Sequence, residues 1–288
     1  MGNTDLSEFR YYHYDPSIAA AVIFTLLFFT TTSLHMYQMI QTRTWFLIPF
    51  VIGGLFEFIG YIGRAVSSNE SPNWTLGPYL VQTLFLLVAP ALFAASIYME
   101  LGRIVLVVDG ESHIWIKKRW LTKIFVCGDI LSFLMQGSGG GLQAGGTQGL
   151  LDLGAHVVVG GLFVQILFFG VFIVVSFAFD ISMRRVPTLK ARSNHIWRKH
   201  LNTLYGASVL IMIRSIVRVV EYLQGFDGYL LGHELYLYVF DALLMTAVMI
   251  VLSFVHPSEV CAHAKGGLAF KNGYKLYKVD DRILEGTD

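Results

Sequence analysis

WFLIPFVIGGLFEFIGYIGRAV, residues Trp45–Val66, is the stretch that decides the fold. At about 1.5 Å of rise per helical residue it is long enough to cross a hydrocarbon core of roughly 30 Å, and Glu57 and Arg64 are the only formal charges it carries. Glu57, Tyr61 and Arg64 fall at i, i+4 and i+7, which places them on one face of a helix. An ionised side chain in hydrocarbon costs at least about 2.5 to 3.5 kcal/mol unless it is paired or hydrated. The polar stripe must therefore face other protein while the remaining faces meet lipid.

Working outward, the same apolar texture recurs at Ser17–Gln38, Gly77–Met99, Thr122–Leu142, Leu153–Asp180, Leu201–Leu223 and His233–Val255. The expectation is an all-α, polytopic membrane protein: a seven-transmembrane helix bundle over residues 17–255, an external N-terminal segment at 1–16 and a cytoplasmic tail at 256–288. A composition of 55% hydrophobic and 14% charged residues in 288 excludes a soluble domain and leaves no room for a second folded one. Cys127 lies in an apolar stretch and Cys261 in the tail, so no disulfide framework is implied.

Loop charge orients the bundle. Most of the 21 lysines and arginines flank alternate ends of the stretches: Arg43, then Arg103 to Lys123, then Arg184 to Lys199, then Lys265 to Arg282. The opposite flanks hold only Arg10 and, at a helix end, Arg64. The positive-inside rule then places the N-terminus outside and the C-terminus in the cytoplasm, most naturally at the plasma membrane. Asn73-Trp74-Thr75, in a loop this makes external, is a candidate glycosylation site at Asn73. The basic run from Arg184 to Lys199 serves as an orientation signal beside anionic lipid headgroups or as a docking surface for a cytosolic partner.

Two further stretches repeat the charged stripe: Arg214, Arg218 and Glu221 in the sixth, Glu234, Tyr238 and Asp241 in the seventh. With the topology above, all three stripes lie in the outer half of the membrane and can meet. Such residues persist by pairing in the bundle interior, where they either fix helix register or line a binding cavity. Asp129 and Gln136 share a face of the fourth stretch and Gln165 lies in the fifth; the two glutamines either line the same cavity or bond helix to helix. Glu100 and Arg103, one turn apart, are expected to pair with each other, and Pro90 to kink the third span. The glycine-rich run Gly137–Gly149 lacks the lysine and hydroxyl of a phosphate-binding loop and is expected to form a flexible re-entrant loop.

Taken in order, YDPS at 14–17, EFIGYIGR at 57–64, LFLLVAPALFAASIYMELGRI at 84–104, GDILSFLMQGSGGG at 128–141, GLFVQ at 161–165, IRSIVRVVEYLQG at 213–225 and HELYLYVFDALLM at 233–245 carry a resemblance over roughly Tyr14 to Val260. The chain resembles the fungal RTA-like family, also called lipid-translocating exporters, which includes the 7-aminocholesterol-resistance proteins. The resemblance implies a seven-helix protein whose relatives are linked to release of sphingoid long-chain bases, resistance to toxic amphiphiles and movement of porphyrin or haem. Its characteristic charged positions correspond to Glu57, Arg64, Asp129, Arg214, Arg218, Glu221, Glu234 and Asp241.

The function expected is translocation of an amphiphile, a sphingoid long-chain base or a porphyrin, whose head enters a charged cavity formed by Glu57, Tyr61, Arg64, Gln136, Gln165, Arg214, Arg218, Glu221, Glu234, Tyr238 and Asp241. A cationic amine suits the acids, and porphyrin carboxylates suit Arg214 and Arg218. With no nucleotide-binding motif, uphill movement needs a gradient, for which a buried carboxylate is the natural proton carrier. The alternative is a seven-helix lipid or small-molecule sensor without transport, although Glu100-Leu101-Gly102-Arg103 is a poor match for the Asp-Arg-Tyr signature of G-protein-coupled receptors. No catalytic residue set, metal site or nucleic-acid surface is expected. His35 falls near the inner face and His156 and His233 near the outer, so haem or porphyrin enters as a candidate ligand and not as a resident cofactor.

Overall fold

A computed structural model describes residues 14–114, 118–143, 147–193, 195–225 and 228–279. The chain builds long helices joined by short turns: α1 (Ile18–Thr42), α2 (Ile48–Asn69), α3 (Leu76–Val107), α4 (Lys118–Gln143), α5 (Gln148–Arg185), the short α6 (Leu189–Ser193) and α7 (Ile196–Leu223). The last long helix is broken into α8 (Glu234–Leu237), a π-helical turn at Tyr238–Leu243 and α9 (Leu244–Phe254). Local chemistry sets several ends. Ser17 caps α1, its hydroxyl accepting from the Ala20 N–H, Pro49 opens α2, and Glu70 accepts from both the N–H and the hydroxyl of Thr75 just before α3.

Six helical segments are long and apolar enough to cross a membrane: Ile18–Thr42, Trp45–Asn69, Leu76–Val107, Gly149–Arg185, Ile196–Leu223 and Glu234–Lys265. This is an integral membrane protein. The fourth expected span is the exception, because α4 is a continuous helix of 26 residues whose glycines, Lys123 and Asp129 dilute its apolar character. Large apolar side chains turned outward confirm the solvent: Leu26 is 60% exposed, Leu167 64% and Phe177 55%. Water would drive such a belt into contact with other protein; lipid does not.

The interior is a continuous aromatic and aliphatic core through Phe28, Phe50, Phe93, Tyr98, Phe125, Phe172, Ile211, Met245 and Met249. α3 and α7 sit near its centre, α3 touching α2, α4, α5 and α7. The most extensive pairings are α4 with α5 and α2 with α3. Glycines explain the first. A Cβ at Gly139 would stand 2.7 Å from the Gly154 carbonyl oxygen, and one at Gly154 would stand 2.5 Å from that of Gly139, so only glycine lets these backbones touch. The expected loop beginning at Gly137 is thus corrected: Gly137–Gly141 are helical, and residues 144–146 lie outside the described residues.

The tail is also more than a tail. After α9 the chain turns at Pro257 into α10 (Ser258–Lys265) and an antiparallel hairpin, β1 (Gly267–Lys271) with β2 (Lys275–Val279), in which Lys271 faces Lys275. This unit packs against α1, α3 and α7. Gln38 Nε2 donates to the carbonyls of Ser253 at 3.1 Å and Gly273 at 2.7 Å, and Gly273 has the positive φ and the lack of a Cβ that this approach requires. His200, fully buried on α7, bridges Glu100 at 3.3 Å and Glu259 at 3.1 Å, while Lys199 and the Tyr277 hydroxyl also donate to Glu259. Glu100 is therefore held by His200 instead of the expected Arg103, whose guanidinium stacks 4.0 Å from the Phe46 ring centre.

Candidate functional site

The three charged stripes converge at the end of the bundle where α2 and α7 finish and α3 and α8 begin. Arg64, fully buried, donates through Nη2 to Glu234 Oε1 at 2.6 Å and to the Tyr14 hydroxyl at 3.0 Å, and through Nε to the Tyr238 hydroxyl at 2.9 Å. Its guanidinium carbon lies 5.0 Å from the centre of the Tyr238 ring, a cation–π contact. The same Glu234 oxygen accepts the Ser17 backbone N–H at 2.8 Å, so one acid of the last helix pins the start of the first.

Arg214, also buried, donates through Nε to Asp241 Oδ1 and through Nη2 to the Leu86 carbonyl, each at 2.6 Å. That carbonyl is available for a sequence reason. In an α-helix it would accept the N–H of residue 90, and residue 90 is proline. Arg218 Nη1 reaches both oxygens of Glu221, at 3.1 and 3.0 Å, within α7. Arg218 Nε and Asp241 Oδ2 have no hydrogen-bond partner among the described residues.

Above these pairs lies a cavity of about 130 Å³, lined by Arg64, Arg214, Arg218, Glu221 and Asp241 together with Tyr14, Tyr79, Gln82, Gln143, Tyr222, His233 and Tyr236. A cavity of that size has room for several water molecules or a polar head group. Both signs of charge border it, so it can accept a cationic amine, an anionic carboxylate or a head carrying both.

Of the residues marked in the sequence, Arg64, Arg214, Arg218, Glu221 and Asp241 line the cavity. Glu234 and Tyr238 stand behind it as partners of Arg64. Glu57 and Tyr61 lie deeper, fully buried, with the Tyr61 ring stacked on Phe28 at 5.3 Å. Gln136 and Gln165 are not among the lining residues: Gln136 Nε2 donates to Gln165 Oε1 at 3.2 Å and to Ser132 Oγ at 2.6 Å, a bond between α4 and α5. Asp129 is buried on α4 near Tyr98, away from the cluster. His156 is exposed, whereas His233 lines the cavity, and among the described residues no group of His, Cys, Asp and Glu is placed to hold a metal ion. Asn73 is exposed in the turn between α2 and α3.

Among the lining residues that the sequence left unmarked are four tyrosines, Tyr14, Tyr79, Tyr222 and Tyr236. At a span end a tyrosine passes for an interfacial anchor, which hides a role in a cavity. Gln82 was the legible one, a lone amide inside an apolar run.

A sequence profile of the family described as RTA1 like protein matches residues 50–264, which include every charged position of the cluster. The chain belongs to that family. It is 39% identical to Protoporphyrin uptake protein 1 of Saccharomyces cerevisiae, over 88% of this chain and 93% of that protein. Protein RTM1 of Saccharomyces cerevisiae is 38% identical over 86% of this chain and 93% of its own length. The Sphingoid long-chain base transporter RSB1 of Saccharomyces cerevisiae (strain Lalvin EC1118) is 26% identical over 95% of this chain and 79% of its own. No solved structure matches. Two of these RTA1-like relatives are named for uptake and for transport, and the apolar helices of this member fit that membrane role.

In this RTA1-like chain the basic run from Arg184 to Lys199 is partly spent on the fold itself. Arg184 pairs with Asp180, Lys190 with Asp109 and Lys199 with Glu259, each at 2.8 Å, which leaves Arg185 and Arg192 among its exposed cations.

Proposed function

We propose that this RTA1-like protein moves an amphiphile across the membrane, holding its polar head in the charged cavity while its apolar part stays in lipid. The observation that carries this reading is a head-group-sized void bordered by an incompletely satisfied guanidinium, Arg218, and an incompletely satisfied carboxylate, Asp241. A sphingoid long-chain base would bring its amine to Glu221 and Asp241; a porphyrin would bring carboxylates to Arg218. The names of the relatives, one a long-chain base transporter and one a protoporphyrin uptake protein, support these two cargo classes.

The working topology is seven spans at the plasma membrane. α4 serves as the seventh, since 26 residues span about 39 Å at 1.5 Å each. The cavity end faces outward and the α10–hairpin unit lies in the cytoplasm, consistent with the distribution of lysine and arginine and with the exposed Asn73 as a glycosylation site. Arg185 and Arg192 meet anionic headgroups or a cytosolic partner.

Purified protein in liposomes tests the reading. Long-chain base or protoporphyrin should cross faster than in empty liposomes, and Glu221→Gln should slow the base while leaving the amount of folded protein unchanged. Equal rates with and without protein for both cargoes would refute it.

A further inference from the structure

Among the described residues the charge inventory of the cluster does not close. Its cations are Arg64, Arg214 and Arg218, and each is held by one carboxylate: Glu234 at 2.6 Å, Asp241 at 2.6 Å and Glu221 at 3.0 Å. Glu57 is the acid left over. It is fully buried, and neither of its oxygens has a hydrogen-bond partner among the described residues.

Its surroundings offer no substitute. On its own helix Tyr61 stands one turn away and Arg64 two; α7 turns Arg214 and Arg218 toward it, and the last helix Asp241, while Tyr238 faces Tyr61. Arg214 is held by Asp241 and Arg218 Nη1 by Glu221, the free Nε of Arg218 makes no hydrogen bond to Glu57, and Asp241 repels a second negative charge. α1 meets this stretch of α2 with Phe24, Phe28 and Thr32, and α3 with Leu86, Ala89 and Phe93, so neither supplies a charge. An ionised Glu57 would leave the cluster one charge negative at membrane depth, which the surrounding hydrocarbon opposes.

The geometry points to Glu57 as a proton-binding site: its carboxyl holds a proton while the cavity is empty and releases it when a cationic head enters. The arriving cation supplies the missing positive charge, so the cluster keeps the same net charge with one proton fewer. Asp241 lines the cavity, faces Glu57 and has Oδ2 without a partner, which makes it the relay that passes the proton to cavity water. Cation in, proton out gives exchange without nucleotide hydrolysis. The exchange rests on the carrier reading; the proton on Glu57 does not.

Two measurements separate these parts. Infrared spectra of ligand-free protein in nanodiscs at neutral pH should show a protonated-carboxyl carbonyl band that Glu57→Gln removes and Glu57→Asp retains at a shifted position. Because glutamine is the neutral isostere of the protonated acid, Glu57→Gln should fold as stably as the parent chain. A dodecyltrimethylammonium probe, whose charge does not titrate, should then bind the parent protein with release of about one proton, its affinity rising by up to about tenfold per pH unit. In Glu57→Gln the probe should bind with no proton release and a flat pH profile. An infrared band unchanged in Glu57→Gln, or equal proton release from both proteins, would overturn the assignment. Failure of the parent protein to bind the probe would count against the cationic cargo and the exchange, while the infrared band would still decide the proton.

Discussion

Replacing Asp241 by asparagine and Glu221 by glutamine looks like the same experiment twice, yet the structure assigns the two substitutions different costs. Asp241 is 3% exposed and faces Arg214, itself 1% exposed, at 2.6 Å. Removing one charge of such a pair leaves the other buried without a counter-ion, which costs about 3 to 5 kcal/mol. The asparagine carbonyl still accepts from Arg214 Nε, so the lower figure applies, about a hundredfold in the folded-to-unfolded ratio. Glu221 and Arg218 have side chains 13% and 11% exposed, against 4% and 1% for Asp241 and Arg214, so water can more readily take over the lost interaction. Glu221→Gln should therefore cost about 1 kcal/mol or less. Thermal denaturation of the two variants in nanodiscs, followed by size-exclusion chromatography, measures the difference. Asp241→Asn should be the less stable by about 2 kcal/mol, and Arg214→Met with Asp241→Leu should recover much of the loss, since no stranded charge remains. An Asp241→Asn protein as stable as Glu221→Gln would refute the argument that this pair is the less hydrated of the two.

Gly154→Val should push α4 from α5 and cost about 1 to 3 kcal/mol, visible as a lower denaturation midpoint; an unchanged midpoint would show that the backbones do not touch there. Glu259→Ala removes the acceptor of His200, Lys199 and Tyr277 and should cost about 1.5 to 3 kcal/mol, with faster protease cleavage beyond Val255 and unaltered ligand binding. Cleavage at the parent rate would mean that the C-terminal unit is held by its apolar contacts alone. Asn73→Cys, in a chain with Cys127 and Cys261 changed to serine, should react with a membrane-impermeant thiol reagent added outside intact cells. Reaction only after the membrane is permeabilised would reverse the orientation.

The convergence of charge was legible because helical spacing is rigid: Glu57, Tyr61 and Arg64 had to share a face, and so did Arg214 and Arg218. The allotment of partners was not. The residues of the seventh stripe share one helical spacing, yet they serve two arginines. Glu234 and Tyr238 hold Arg64, and Asp241, inside the π-helical turn, reaches Arg214 on α7. A π turn leaves little trace in residue pattern, so its effect on side-chain direction could not be anticipated. The polar run at the end of α4 resembled a loop by composition, yet contact with Gly154 makes its glycines helical. The C-terminal hairpin, by contrast, was announced by Asn272-Gly273 between Leu268, Phe270 and Leu276, a turn signal that the passage treated as generic tail had carried all along.

The tight seam between α4 and α5 has a mechanical corollary. Two helices in backbone contact at Gly139 and Gly154, bolted further along by Gln136 and Gln165, cannot slide past one another and must travel as one rigid leaf. Gln143 and Ala155 put that leaf on one wall of the cavity, and Arg64, Arg214 and Asp241 stand on the facing wall. If the protein exposes its binding chamber alternately to either side of the bilayer, the swing occurs between this leaf and the remaining helices, like a book opening along its spine, with each page staying flat.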